Sequence, residues 1–486
     1  MTVGKSSEKP AAKPISSGFM ASLQKKLNCS EKKLLMLAKE LKTKGVKFEE
    51  HIREDLVKLS HSLDEFYTVE KLEFIEKRKK PKEEKGKKKN EEVEESKGTV
   101  ETKVELDLVY LKDPPAFIEH VIEQRGLDRA KVLVRVGLDG GQGSFKVVAS
   151  IFETDYDPEV TFGSKEGPGN RLTGANRLLV MAMAEDMQEL YFNLRIVMDK
   201  LKLNDIDCCF ASDLKLINCL LGISSHSGKH ACPYCEGEMT LEAGVLRTFG
   251  RLQKWHRKFE EKGSKMADMR KFANVIHPSL IKGDEGTTIL STIPLPELHL
   301  LMGVVNWSLE LLYQVVPQKE LQQTMRTKGI SVHGYHGGGL DGGNSNLFLK
   351  HLVFIFSSLP DKLNPIFMML SKFKKVVNSC FSLELAPTFE QDIDSFNSEV
   401  AKLIKFTKNE LKVELSPTWK IHILVTHLKP FLQEKQIGLG LFCEQTSEAA
   451  HCAMKPTIQR FKRKADHRLH GARLLRVAGD FSSKNM

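Results

Sequence analysis

The sequence predicts an α/β protein in which a mixed β-sheet, flanked by helices, is joined to a long, mainly helical region. Three observations predict it. KVLVRVGLDGGQGSFKVVASIFE alternates apolar residues on both sides of a glycine-rich turn, the pattern of two paired strands. NRLLVMAMAED reads as a third strand, after which MQELYFNLRIVMDKLKL switches to the 3.6-residue period of a helix. DIDCCFASD, a fourth strand, runs directly into a second helix, LKLINCLLGISS.

The resulting order is β-β-β-α-β-α. Three consecutive strands before helix and strand alternate is the layout of an RNase H-like sheet. A Rossmann arrangement alternates from its start and fits less well.

The flanking segments follow by composition. Residues 1–18 are rich in Pro, Ser and Lys and read as disordered. Residues 19–70 carry helical periodicity in EKKLLMLAKELK, N-capped by Ser30, and again in FEEHIREDLVKLSHSLDEFY. They form a small helical N-terminal region suited to dimerisation or DNA binding. Residues 71–102 read as a charged linker, with a basic run from Lys77 to Lys89 followed at once by EEVEES. Such a linker is solvated and can also serve as a nuclear-localisation or DNA-contacting arm. Residues 103–235 hold the first part of the sheet core and 236–430 a helical insertion. Residues 431–486 form a C-terminal helical region in which Pro456 is expected to kink the basic helix.

Composition narrows the class. The net charge of +10, 41% hydrophobic and 28% charged residues are those of a globular chain. Nine cysteines without regular spacing argue for a reducing compartment rather than a disulfide scaffold. No apolar run reaches the roughly 18 residues that span a membrane, and the N-terminus has no apolar secretory core. The nucleus is the expected location, and no membrane partner is expected.

Two sets of residues can carry chemistry. Asp139 ends the first core strand and Asp213 ends the fourth, so both carboxylates lie at neighbouring strand ends. That arrangement suits two Mg2+ or Mn2+ ions, which take hard oxygen ligands and keep several waters. A third acid is expected from the C-terminal helix, where Glu444 and Glu448 stand one turn apart. Taken singly, Asp139 is also an ordinary turn residue and Asp213 an ordinary helix N-cap. The second set begins with Cys232 and Cys235, a C-x2-C knuckle that supplies half of a tetrahedral zinc site. The other half is either His226 and His230 nearby or His422 and His427 far along the chain, and spacing alone leaves both open.

The chain resembles the catalytic core of the Transib-type DDE transposases and of the related catalytic subunit of the V(D)J recombinase, over about residues 105–486. LDGG carries the first aspartate, Asp213 precedes the knuckle by nineteen residues, and HILVTHLKP matches a histidine pair with four residues between. ELHLLMGVVNWSLELL, YHGGGLDGGNSNLFLKHL and CEQTSEAAH match further segments in the same order. The resemblance implies zinc on Cys232, Cys235, His422 and His427, pinning the two ends of the insertion together. It implies Asp139, Asp213 and Glu448 as the catalytic triad. Glu444 is the alternative third acid, because CEQTSE is spaced one residue wider than the family pattern. Implied with it are nicking of double-stranded DNA, attack of the freed 3′-hydroxyl on the opposite strand, a homodimer pairing transposon ends, a DNA target and an accessory subunit. The basic residues Arg460, Lys462, Arg463, Lys464 and Arg468 would then contact phosphates without reading sequence.

Two rivals stand beside this reading. One is a domesticated relative that binds DNA without cutting it. The other is an actin/hexokinase-like phosphotransferase, with LDGGQGSFK as a phosphate-cradling turn and GGGLDGGNSN as its only downstream counterpart. A P-loop is excluded, since no G-x4-G-K-[ST] occurs.

Overall fold

A computed structural model describes residues 14–16, 19–20, 23, 31–48, 51, 63–79, 99–141, 143–153, 178–224, 229–332, 339–413, 416–461, 470–483 and 485. Within these, the side chains of residues 31, 32, 79, 99, 445–449, 452 and 460 are outside the description.

Near the N-terminus, helix α1 (Glu31–Thr43) buries Leu34 and Ala38 against Met20 in a small core of its own. Ile15, expected in a disordered tail, is held by a bridge to Phe48 and donates its N–H to the Lys47 carbonyl at 2.9 Å. Most of the second expected helix, including residues 52–62, lies outside the described residues.

The largest departure from expectation follows. Residues expected to end the helical region and form a charged linker instead supply two long strands, β1 (Tyr67–Lys79) and β2 (Thr99–Leu111). They pair antiparallel over their whole length, from Tyr67 opposite Leu111 to Lys79 opposite Thr99. Mixed charge hides β1 and the start of β2, although within β2 Val104, Leu106, Leu108 and Tyr110 alternate with Lys103, Glu105 and Asp107, as a half-buried strand requires. Here the charges pair across the ladder, Lys77 with Glu101 at 2.9 Å and Lys103 with Glu73 at 2.6 Å. Such exposed pairs contribute little each. Burial of Tyr67, Phe74, Leu108 and Leu111 holds the ribbon to the rest of the sheet.

Helix α2 (Pro114–Arg125) comes next, N-capped by Asp113 with Pro at its first turn and closed by Gly126 at φ 62°. Then come the expected elements: β3 (Val132–Gly141), β4 (Ser144–Glu153), β5 (Leu179–Glu185), α3 (Tyr191–Leu201), β6 (Cys209–Ser212) and α4 (Leu214–Leu220). The six strands form one mixed sheet in the order β1-β2-β5-β4-β3-β6. Every neighbouring pair is antiparallel except β3 and β6, which are parallel. At the outer edge of β1 two side-chain amides stand in for a further strand. Asn193 bonds both the N–H and the C=O of Ile75 at 2.8 Å, and Gln188 does the same for Lys77.

No further strand of the sheet occurs beyond Ser212 among the described residues. The expected helices are present instead: α5 (Phe249–Glu261), α6 (Glu297–Val315), α7 (Gln318–Arg326), α8 (Gly342–Lys350), α9 (Leu352–Phe356), α10 (Asn364–Cys380), α11 (Phe389–Phe406), α12 (Trp419–Lys435), α13 (Gln445–Phe461) and α14 (His470–Ser483). Helix α6 is buried around most of its circumference, as its near-continuous apolar sequence requires. GGGLDGGNSN opens α8 with Asp341 as N-cap and joins no two strands, which removes the phosphotransferase's second unit. Sheet and helices share one continuous hydrophobic core.

Two helices return to the sheet. Helix α13 continues unbroken through Pro456 and packs on β3. Helix α14 lies across β5, β1 and β2, burying Leu474, Val477 and Phe481. His470 at its start bridges Asp107 at 3.0 Å and Glu185 at 2.9 Å, and at its middle Arg476 pairs with Asp64. No helix among the described residues is long and apolar enough to cross a membrane.

Candidate metal centres

The C-x2-C knuckle sits where the chain leaves the sheet. Cys235 bridges Leu246, Glu236 N–H donates to Val245 O at 2.8 Å, and Arg247 N–H donates to Tyr234 O at 2.9 Å. These bonds fold residues 232–247 into a small hairpin loop. The two arms touch backbone to backbone at Gly237 and Gly244, where a Cβ on Gly244 would stand 2.2 Å from the Gly237 nitrogen. Arg247 is wholly buried inside the loop. Its Nε donates to the carbonyls of Cys232 (2.9 Å) and Cys235 (3.0 Å), and its Nη2 to those of His230 and Ala273, both at 3.0 Å.

Helix α12 presents the other half. Cys232 Sγ lies 3.4 Å from His427 Nε2, and Cys235 Sγ lies 3.3 Å from His422 Nε2. All four donor atoms fall within 4.8 Å of one another, and all four residues are buried. Tetrahedral zinc with bonds of about 2.3 Å to sulfur and 2.0 Å to nitrogen requires S···N edges of about 3.5 Å. Two of the S···N edges match that length and the remaining donor atoms lie within 4.8 Å, so this buried Cys2His2 group can bind zinc.

The surroundings prepare it for a cation. His422 Nδ1 bonds the Thr240 carbonyl at 2.7 Å, which places its proton on Nδ1 and leaves Nε2 as the ligand. Burial pushes the Cys232 thiol up, whereas a hydrogen bond from Cys232, aided by His422 and His427, holds the Cys235 thiol down. The local alternative falls away. His230 turns its Nδ1 to the Glu236 carbonyl at 2.8 Å, and His226 lies outside the described residues.

The acidic set is organised by strand register. Leu138 on β3 pairs with Ser212 on the parallel strand β6, so the next residue on each strand is Asp139 and Asp213. Asp213 also caps α4, its Oδ1 accepting from Leu216 N–H at 2.6 Å. Both the local role and the placement at the strand end are thus realised in one residue.

Four residues without a sequence signal surround these aspartates. Glu189 accepts the Gly140 N–H at 2.9 Å and pairs with Lys215 at 2.8 Å. Burial raises its carboxyl above the usual range; Lys215 opposes that, while Asp213 and Asp139 add to it. His451 on α13 contacts both Asp139 and the buried Lys146. The two glycines of LDGG lie within β3, ahead of the turn they were read as forming, and they make room for these neighbours. A Cβ at Gly140 would stand 2.6 Å from Glu189, and one at Gly141 would stand 2.9 Å from His451.

The third acid divides. Glu444 does not share a helical face with residue 448, because it precedes α13 and is buried against α6. Its Oε1 accepts from both the backbone N–H and the Nδ1 of His299 at 3.0 Å. Residue 448 lies in the first turn of α13, three positions before His451, and its side chain is outside the described residues. So is that of Arg460, while Lys462, Arg463, Lys464 and Arg468 are outside them altogether. Among the described residues, Asp139 and Asp213 do not close with a third acid into a cluster as tight as the Cys2His2 group. Compared with protein-family models and with curated proteins, the chain matches none.

Proposed function

We propose that the protein is a metal-dependent enzyme that nicks and joins DNA strands, built on an RNase H-like sheet and resembling the Transib-type DDE transposases. The observation that carries the reading is the parallel pairing of Leu138 with Ser212, which sets Asp139, two residues before the end of β3, beside Asp213, the residue after β6. The antiparallel β5-β4-β3 order with β6 added in parallel supports the RNase H-like assignment. Asp139 and Asp213 offer hard oxygen donors, and His451, three positions after 448 on α13, contacts Asp139.

Two divalent ions held there, Mg2+ or Mn2+, would supply activation of the attacking hydroxyl and stabilisation of the leaving oxygen. The protein's own contribution is positional. Asp213 is fixed by its bond to the α4 N-terminus, and Asp139 by the paired strand beneath it. Glu189 and Lys215 brace the Gly140 backbone beside them. The zinc-binding group joins the start of the helical region to α12, a short loop ahead of α13, so it would hold that helix near the sheet. A homodimer, an accessory subunit and a nuclear location belong to the same proposal.

The test uses supercoiled plasmid with Mg2+ or Mn2+ and compares wild type with Asp213→Asn. Asparagine caps a helix as well as aspartate does, so the variant should keep its stability to within about 0.5 kcal/mol. It should lose nicking and joining altogether. Equal cutting by both proteins would sink the reading. A wild type that binds DNA in a salt-dependent way and cuts no substrate, terminal-repeat DNA included, would point to the non-cutting relative.

A further inference from the structure

We infer that His451 is a positioning residue for Asp139, working through a buried line of three side chains drawn from three elements; this rests on the two-metal reading above. Lys146 stands opposite Asp139 in the β3–β4 register, and only 2% of it is exposed. Its Nζ meets His451 Nδ1, and His451 Nε2 meets Asp139 Oδ2. His451 itself is 6% exposed, so water does not compete for either nitrogen.

The order of partners determines where the ring proton sits. With Lys146 as an ammonium, which has three donors and no lone pair, Nδ1 accepts from it. The proton of a neutral imidazole then sits on Nε2, facing the Asp139 carboxylate. His451 Nε2 forms no in-line hydrogen bond, although it is in ion-pair contact with the Asp139 carboxylate. A small turn of the carboxylate completes the bond and leaves its other oxygen for a cation. Gly141 is what lets the ring reach this place, since any side chain there would collide with Nε2.

The same contact has a second effect. His451 lies three residues after position 448, within one turn of α13. Seating the imidazole on Asp139 therefore sets how far along β3 the helix rests. One side chain orients the first acid and registers the helix that carries the third.

The experiment uses the full chain, with wild type, His451→Leu, His451→Gln and Asp139→Asn. Free Mn2+ is titrated by electron paramagnetic resonance, and the histidine tautomer is read from 15N–1H spectra of 15N-histidine-labelled protein. A protein-bound proton on His451 Nε2, and none on Nδ1, is expected. Loss of the ring should weaken Mn2+ binding about 10- to 100-fold, the usual effect of removing a group that orients a metal ligand. Glutamine, whose amide N–H reaches the Nε2 position, should recover most of that loss, which a purely space-filling role would not require. A proton on Nδ1, or Mn2+ binding by His451→Leu as tight as wild type, overturns the inference. If wild type and Asp139→Asn bind Mn2+ equally poorly, it is the two-metal reading that fails. The spectra then decide alone: an Nε2–H signal that moves in Asp139→Asn supports the contact, and one that does not move overturns it.

Discussion

Cys232 Sγ lies 3.4 Å from Nε2 of His427, a residue 195 positions further along the chain. With Cys235 and His422 it closes a buried box that ties the end of the sheet to α12. Four ligands converging from two distant segments cost chain entropy that an ion restores, so stability and metal content should be linked.

The purified protein is accordingly expected to contain one zinc per chain. Cys235→Ser and His422→Ala should each lose it and melt far below wild type, as measured by elemental analysis and calorimetry. Acidification should release the ion too, because the ligands bind it deprotonated. Retention of a full equivalent by Cys235→Ser would rule this cluster out as the zinc site.

The knuckle depends on two glycine backbones in contact. Gly244→Ala puts a Cβ 2.2 Å from the Gly237 nitrogen, whereas Gly286→Ala meets nothing within 4 Å. The first should cost about 3 kcal/mol or more and weaken zinc binding; the second should stay within about 0.5 kcal/mol. Urea unfolding of the two variants separates backbone contact from a general preference for glycine.

Glu297 supplies a pH signature. Burial raises its carboxyl from 4.5 to about 7; the Cys443 hydrogen bond and Arg135 oppose the shift, and Glu444 adds to it. A carboxyl held protonated in the fold binds a proton that the unfolded chain has released. Stability is therefore lost as pH rises from about 4.5 to about 7, by an amount on the order of 3 kcal/mol, and levels off above. Glu297→Gln should be less pH-dependent over that interval than wild type in paired urea titrations at pH 5.5 and 8. Parallel slopes would show that Glu297 does not carry the effect.

Asn193 guards the outer edge of β1. Its amide bonds both polar groups of Ile75, so Asn193→Leu should leave a part-buried N–H and C=O without partners. A loss of about 2 kcal/mol is expected, together with self-association through the exposed edge, detectable by light scattering. A variant with the stability and assembly size of wild type would contradict this.

Much of the framework was legible in the chain. The apolar patterns of VLVRVGLD and FKVVASIF announced β3 and β4, inner strands of the sheet that are buried on both faces over most of their length. The helical period of YFNLRIVMDKL announced α3, one face of which must meet a core. Strand β1 was not legible, because its mixed charges look the same in a solvated linker. In β2 the charge of its first half masked the alternation of Val104, Leu106, Leu108 and Tyr110 with Lys103, Glu105 and Asp107.

The sequence by itself determined the elements whose stability is local or periodic, the C-x2-C pair, and the place of Asp213 between β6 and α4; Asp139 it put at a strand end that lies two residues further on. Only the tertiary structure decided what meets across long separations. It chose His422 and His427 over His230, buried Glu444 against His299, and brought Glu189, Lys146 and His451 to Asp139. The physical reason lies in how each is encoded. Periodicity records which face of an element is buried, and a residue's neighbours in the chain carry that information. Which two buried faces touch depends on packing of the whole core, and a single histidine or glutamate carries no mark of the partner it will find.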